Sequence, residues 1–413
     1  MSMSSPVHPP MDQFAFEDGE LVIGGQRLSR LAERVGATPF YAYDRALLAR
    51  RVGELRQALP AAVKLHYAMK ANPLPALVCL MVGLVDGIDV ASAGELQVAL
   101  NAGAPAAEVS FAGPAKAASE LRQAVAAGVL VNVESLREVK LLEGISSSLA
   151  IPARVAVRVN PDFELKGSGM KMGGGPKQFG IDVDEVPAVL ARIGSAGLAF
   201  EGFHLFAGSQ NLRAEAICDA QRQSFALALR LAEHAPGPVR FLNLGGGFGI
   251  PYFPGEQRLD LAPISANLHA LSTRALTEFP KASLVIELGR YLVGEAGVYV
   301  TRVTDRKVSR GQVFLVTDGG MNHQLAASGN LGQVIRKNYP VAIGTRMEAP
   351  AEETETVNIV GPLCTPLDIL ADRMPLPQAG VGDLVVVFQS GAYGPSASPS
   401  GFLSRPAAAE VLV

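Results

Sequence analysis

The chain has 413 residues with 36 basic against 39 acidic side chains, and its formal net charge of −3 gives no general pull toward nucleic acid or anionic lipid. Its three cysteines, Cys79, Cys218 and Cys364, lie far apart with no CxxC spacing, which excludes a zinc ribbon and a disulfide framework, points to a reducing cytoplasm and leaves no metal expected. The most apolar stretch, Leu74 to Val85, is far short of the ~20 residues a membrane helix needs, and MSMSSPVHPPMDQF has no signal-peptide pattern, so a soluble cytoplasmic protein without membrane or nucleic-acid partners is expected.

Residues 1–12, rich in Ser and Pro, are expected to be disordered. Over 13–43, FAFEDGELVIGGQRL reads as a hairpin, broken at Asp18-Gly19 and again at Gly24-Gly25. Leu28 to Val35 reads as a short helix and PFYAYD as a strand. Asp44 then caps an amphipathic run, Arg45 to Leu59, with Leu47, Leu48, Val52 and Leu55 on one face.

From there β-rich and helical runs alternate. The strands are Leu65–Ala68, Gly87–Val90, Val109–Ala112, Val129–Val133, Arg154–Val159, Gly202–Phe206, Arg240–Leu244 and Leu284–Glu287. Between them lie helical runs at Leu74–Leu84, Ala93–Ala102, Ala117–Ala127, Leu136–Leu149, Val183–Ser195, Ala214–Glu233 and Leu261–Phe279. Eight strands with intervening helices predict an α/β protein with a (β/α)8 barrel of TIM type over 44–288. A doubly wound sheet would need fewer strands and a Gly-rich turn after the first, which is absent. Beyond it, VYVTRVTDRKV, QVFLVTD, ETVNIVG, DLVVVFQ and AEVLV predict a C-terminal antiparallel β domain over 289–413, joined by the N-terminal hairpin so that the barrel is inserted within it. Asp162 to Gly180 is one long Gly/Lys-rich loop, a length that is often functional.

Barrel enzymes carry their chemistry at the C-terminal ends of strands. Standing there are Lys70, Asp89, Arg158, His204 with Ser209, the run Gly245, Gly246 and Gly247, and Glu287 with Arg290. Singly, each has an ordinary meaning: a surface lysine, a satisfied core histidine, a tight turn at GGGFG, a Glu287–Arg290 pair, a small buried Cys364, a packing Tyr393. Their convergence on one mouth is the stronger observation. Lys70 follows the apolar LHYAM, a setting that favours the neutral, nucleophilic amine. Glycine N–H groups with Ser209 and Arg290 can cradle a phosphate. Lysine, phosphate cradle and carboxylate together point to pyridoxal 5′-phosphate (PLP), whose ring nitrogen a carboxylate keeps protonated.

YAMKAN, DVASAGEL, FAGPAK, RVNP, GFHLFAGSQ, LNLGGGFGIPY, IELGRYLVGEAG, VTDGGMNH, GPLCTPLD and FQSGAYG together resemble the fold-type III PLP-dependent decarboxylases, the diaminopimelate/ornithine decarboxylase group, from about Phe40 to Tyr393. The resemblance implies an alanine-racemase-like barrel followed by a β domain, and a head-to-tail homodimer in which each active site is completed by the partner chain. It implies α-decarboxylation of an amino-acid substrate. By motif, Lys70 resembles the Schiff-base lysine, and Asp89 and Arg158 resemble supporting cofactor residues. His204 resembles the imidazole stacked on the ring, and Glu287 the pyridine-nitrogen partner. Ser209, Gly245 to Gly247, Arg290 and Tyr393 resemble phosphate ligands, and Cys364 the residue that reprotonates the carbanion from the other subunit.

Diaminopimelate decarboxylases usually place a glutamate directly after the cysteine and an Arg-Pro pair after the GMN motif; here Thr365 follows Cys364 and the Arg-Pro pair is absent, with Arg336 and Tyr339 as partial substitutes. The ornithine-type aspartate is also missing, Asp368 standing four residues on. The chain is similar instead to the exosortase-system-associated subgroup, found with exopolysaccharide genes and itself similar to an enzyme that decarboxylates a glutamyl group on an acyl carrier protein. Lys166, Lys171 and Lys177 in the long loop are candidates to meet an acidic carrier protein or a substrate carboxylate. Diaminopimelate decarboxylation proper, amino-acid racemisation on the same fold, and non-catalytic PLP binding are the alternatives.

Overall fold

In the computed structural model, which describes residues 7–413 except 166, 168, 332 and 334, the β-branched runs become parallel strands: Val63–Ala68 (β1), Gly87–Val90 (β2), Val109–Phe111 (β3), Leu130–Val133 (β4), Arg154–Asn160 (β5), Ala199–Leu205 (β6), Phe241–Gly246 (β7) and Ser283–Leu288 (β8). Each pairs with the next, and β8 pairs with β1, so the sheet closes into an eight-stranded barrel. Closure leaves no unpaired edge.

The expected helices form between the strands, from Pro75–Val82 to Ala262–Glu278. Their starts follow from local chemistry. Ser92 Oγ accepts the Glu95 N–H at 3.1 Å and Ser135 Oγ accepts the Glu138 N–H at 3.3 Å, each satisfying an otherwise orphaned helix donor. Helix Arg45–Ala58 is opened by Asp44, whose Oδ1 accepts the Ala46 and Leu47 N–H groups at 2.9 and 3.0 Å. Among the described residues no helix is long and apolar enough to cross a membrane.

The chain divides into two compact units, one of residues 51–250 and 258–291 holding the barrel, the other of residues up to Arg50 with 251–257 and 292–413. The barrel unit starts later than residue 44, and the Arg45 N–H is bonded to Val413 O at 2.8 Å within the second unit. Of the segment expected to be disordered, residues 1–6 lie outside the described residues. The rest makes contacts: His8 Nε2 lies 2.8 Å from Asn338 O, and the Gly255 N–H donates to Val7 O at 3.0 Å.

The second unit is built on a mostly antiparallel sheet centred on Gly297–Ser309, which pairs with Gln312–Thr317, Leu384–Val387 and Phe40–Tyr43. Two pairings are parallel, Gln312–Thr317 with Thr354–Val360 and the C-terminal Ala409–Leu412 with Phe40–Tyr43. Two strands were not legible in the sequence, Val341–Ile343 and Ile369–Pro377. Both lie at sheet edges, and the second carries Pro375 and Pro377, which a central strand would not accept.

The N-terminal hairpin folds at Asp18-Gly19 with φ of 51° and 75°, the left-handed pair of a tight hairpin turn. It makes a three-stranded sheet of its own, Ala15–Glu17, Glu20–Ile23 and Gln26–Arg27, rather than joining the large one. Its ties to the second unit are the Leu21 N–H to Gly344 O at 2.8 Å and the Met347 N–H to Gly19 O at 2.7 Å. The segment that joins the large sheet is Phe40–Tyr43.

Candidate active site

Alternation along a barrel strand sends every second side chain inward. Each strand here contributes a buried polar residue, His66, Asp89, Ser110, Asn132, Arg158, His204, Asn243 and Glu287 from β1 to β8 in order, and β5 adds Asn160 at its end. Register places Glu287 beside His66, Asp89 beside Ser110, and His204 between Arg158 and Asn243. Four of these, Asp89, Arg158, His204 and Glu287, were legible as candidates. His66, Ser110, Asn132 and Asn243 were missed, although a single polar residue inside LHYA, VSF, VNV and LNL is a usable signal of an inward polar position.

Glu287 is the most heavily engaged. Its Oε2 lies 2.9 Å from His204 Nε2 and accepts from Asn243 Nδ2 at 2.9 Å. Burial alone would push this carboxyl up. His204, with Lys70 and Arg158 further off, overcomes that and lowers it to about 2, so Glu287 is an anion throughout the neutral range. Asn243 Oδ1 accepts the Gly245 N–H at 2.8 Å, so one amide holds both the carboxylate and the glycine turn.

Arg158 donates from Nη1 to Glu134 Oε1 at 2.8 Å, and its guanidinium lies 5.1 Å from the Phe179 ring centre. Burial would raise the Glu134 carboxyl, yet Arg158, Lys116 and the N–H groups of Gly113 and Gly180 bring it below its usual range. Glu134 thereby ties the barrel arginine to Gly180, the closing residue of the long loop. Asp89 meets His66, whose Nδ1 lies 3.0 Å from Asp89 Oδ1.

The glycine run after β7 is required by crowding as well as by conformation. Gly245 and Gly247 have φ of 72° and 76°. A Cβ at Gly245 would lie 2.7 Å from Leu205 O, and one at Gly246 or Gly247 would overlap Glu287 O or Gly208 O. Only glycine therefore fits this turn, whose backbone runs close to its neighbours. Ser209 stands in Gly208–Ser209, which pairs antiparallel with Met170–Lys171 of the long loop. That loop is therefore zipped to the segment beside the glycines. Arg290 opens the short helix Arg290–Val293 just beyond β8 and is half-buried.

Lys70 follows β1 in the turn Met69–Ala71. The apolar enclosure expected for it is not found. Met69 and Ala71 are buried, but the Lys70 side chain is exposed, with the Phe206 ring 5.6 Å from Nζ. Its neighbours in sequence are buried while Lys70 is open to solvent beside Phe206, near enough to Glu287 for its charge to act there.

In the long loop, Lys166 lies outside the described residues. Lys177 shares a groove with Lys140 and Arg192, but also with Glu134, Asp182, Asp184 and Glu185. The groove is mixed in charge, not a basic patch.

Cys364 and Tyr393 belong to the second unit. Cys364 is exposed. Its loop is held by buried Asp368, which accepts the Met321 N–H at 2.6 Å on Oδ1 and the Leu363 N–H at 2.9 Å on Oδ2. Burial pushes this carboxyl up against the opposing pull of those two N–H groups. Tyr393 is half-buried and holds a left-handed φ of 54°, a conformation a non-glycine residue adopts only under constraint. Arg336, a candidate to grip a distal carboxylate, gives Nη1 to Ser328 O at 3.0 Å and Nη2 to Ile369 O at 2.9 Å, tying a turn to the start of strand Ile369–Pro377 instead.

Among the buried atoms of the barrel strands with no hydrogen-bond partner among the described residues are Asp89 Oδ2 and His204 Nδ1. Unpaired polar atoms in a buried setting cost free energy unless a ligand satisfies them. With an exposed lysine, a carboxylate held ionised, and a close glycine turn followed by an arginine, they fit a flat pyridine ring bearing an aldehyde and a phosphate. The donor set agrees with PLP.

Comparison with known proteins bears on the same residues. Residues 45–294 match the family model of the pyridoxal-dependent decarboxylases, pyridoxal binding domain. The chain is 40% identical over 379 residues, 91% of its length and 88% of the relative's, to the decarboxylase of an L-glutamyl group on the BtrI acyl-carrier protein from Niallia circulans. It is 34% identical to diaminopimelate decarboxylase of Aquifex aeolicus, covering 96% of this chain and 91% of that one. Among solved structures it is similar to diaminopimelate decarboxylase from M. jannaschii in complex with L-lysine, with a TM-score of 0.85, 26% identity, and 97% and 92% of the two chains covered. With 250 matched residues closing around this barrel, the chain belongs to the pyridoxal-dependent decarboxylases of fold type III.

Proposed function

We propose that this enzyme removes the α-carboxylate of an amino acid whose distal carboxyl is masked, as in an aminoacyl group tethered to a carrier protein. The carrying observation is the way the distal-recognition positions are used. Thr365 stands where a glutamate would meet a distal ammonium. Arg336 gives both terminal amines to backbone carbonyls, and Asp368 gives both oxygens to backbone N–H groups. A charged distal group would be buried beside engaged partners, whereas an ester, amide or thioester carries no such penalty. The similarity to a decarboxylase of a carrier-bound glutamyl group supports the same substrate class. The mixed charge around Lys177 gives no support to the long loop as the carrier's landing point.

When bound, PLP supplies the electron sink for the pair left at Cα as CO2 departs. The chain's own residues have separate tasks. Lys70 Nζ would hold the cofactor through its aldehyde. Glu287, ionised at neutral pH, holds a proton at the ring nitrogen. His204, held beside Glu287, would help to hold the ring, with Asp89 and Arg158 supporting the site. The Gly245–Gly247 backbone, Ser209 and Arg290, with Tyr393, hold the phosphate. Cys364, supplied by the partner in a head-to-tail homodimer, returns one proton to Cα, so the carboxylate is replaced by hydrogen and CO2 leaves.

The test is CO2 release from a carrier-bound glutamyl thioester against free glutamate, meso-diaminopimelate, ornithine and lysine. The tethered substrate is expected to show the highest kcat/KM by about 100-fold or more, the discrimination that an unpaired buried charge provides. Equal or better turnover of free diaminopimelate would overturn the masked-carboxyl reading. Formation of a D-amino acid without CO2 would favour the racemase.

A further inference from the structure

His66 takes part in no step above, yet it is buried inside the barrel between two carboxylate-bearing strands. It is the register partner of Glu287 on β8 and of Gly87 on β2. A Cβ at Gly87 would lie 2.5 Å from His66 Nε2, so the glycine makes room for the ring. On its Nδ1 side the ring meets Asp89 Oδ1 at 3.0 Å. On the other side it lines a polar cavity at the N-terminal end of the barrel, with Lys64, Glu108, Arg154 and Glu201 among the lining residues.

We propose that His66 is a positioning residue for the pyridoxal site: its Nδ1–H holds Asp89 by one oxygen, so that the second oxygen is presented to the bound group. A core histidine that merely fills space would be satisfied by a backbone carbonyl. This one engages a carboxylate whose other oxygen, Oδ2, is buried and unpartnered among the described residues. Fixing a first carboxylate through a second buried group is the usual way a binding constellation is held to within a fraction of an ångström.

The charged groups around the ring agree with a donor role. Burial pushes the imidazole down, but Asp89 by charge and by hydrogen bond, with Glu287 and Glu108 further off, raises it overall. On the cavity side Lys64 is paired with Glu108 and Arg154 with Glu201, and Arg240 is a further cation of the lining, so the carboxylate that favours the imidazolium is Asp89 on the other side. The inference rests on the reading that this barrel mouth binds PLP.

The test uses the holoenzyme and two variants, His66→Phe, which keeps the ring volume without a donor, and His66→Asn, which keeps a donor near the Nδ1 position. Release of PLP on dilution is followed by visible absorbance, and thermal stability is measured in parallel. His66→Phe is expected to release PLP about 10–100-fold faster, the worth of one hydrogen bond to a charged group, and His66→Asn to recover most of that loss. In 15N spectra of the full chain, the His66 Nδ1 signal is expected to differ between the wild type and Asp89→Asn, and an unchanged signal would overturn the proposal.

Equal release rates for the wild type and His66→Phe would overturn the proposal. So would a loss of thermal stability shared by both variants with no difference in release between them. A wild type that never acquires the visible band would instead bring down the PLP reading, and this inference with it.

Discussion

Asp89 in the barrel and Asp368 in the sheet unit are both buried carboxylates, and they are employed in opposite ways. Asp89 spends one oxygen on His66 and keeps the other unpartnered among the described residues. Asp368 spends both on the backbone of Met321 and Leu363, and Gly320 and Gly361 leave no room beside it for a side chain. The first arrangement leaves valence for a ligand, and the second fixes a loop. Burial of an acid therefore does not mark chemistry. What marks it is an oxygen left over after the protein has taken its share. The Cys364 loop is legible in the same terms, as a backbone bonded to a buried acid beside one exposed thiol.

The sharpest way to break this contrast is at Lys70. Lys70→Ala is expected to abolish both the visible band and CO2 release, because no other described amine follows β1 at the mouth. A band of unchanged intensity in that variant would remove Lys70 from the site and undo the assignment of the barrel mouth.

Next in size is Gly247→Ala. Its Cβ would overlap Gly208 O and its φ of 76° is left-handed, so overpacking and backbone strain together should cost about 2–5 kcal/mol. Weaker phosphate retention should accompany the loss. Wild-type melting and wild-type PLP release in this variant would show that the turn can relax without cost.

Acid unfolding tests the claim that Glu287 is held as an anion. Its pKa is lowered from 4.5 to about 2 in the folded chain, so its contribution is fully present above 4.5 and is lost as pH falls toward 2. The wild type should lose stability faster than Glu287→Gln over that window, by up to about 1.4 kcal/mol per pH unit. Parallel curves would mean that His204 does not hold the carboxylate as inferred.

The barrel was readable because its signals repeat. Eight β-branched runs separated by helical ones leave little choice of architecture, and Gly-Gly-Gly or an isolated His or Glu at a strand end stands out. Asn243 was harder to see. Its importance lies in bonding Glu287 and the Gly245 N–H at once, and Glu287 is 44 residues away in sequence. Lys70 shows the limit from the other side: flanking Met and Ala suggested an apolar enclosure, but the turn after β1 sends its side chain away from theirs. The sheet unit was read less well because its edge strand Ile369–Pro377 carries two prolines, and its hairpin pairs only with itself.

The smallest expected effect falls on the Cys364 loop, and it sharpens the comparison most. In Asp368→Asn one oxygen can still accept a backbone N–H, while the amide nitrogen then faces a second N–H donor. One of the two bonds from Met321 and Leu363 is lost, at a cost of about 1–3 kcal/mol. Since Asp368 serves the loop and not the cofactor, PLP release should stay at the wild-type rate while decarboxylation slows. Cys364→Ala should show the same split more strongly, with PLP retained and turnover reduced or diverted toward transamination. Faster PLP release from Asp368→Asn would show that this carboxylate reaches the cofactor after all, and the distinction between a spent and an unspent acid would lose its best case.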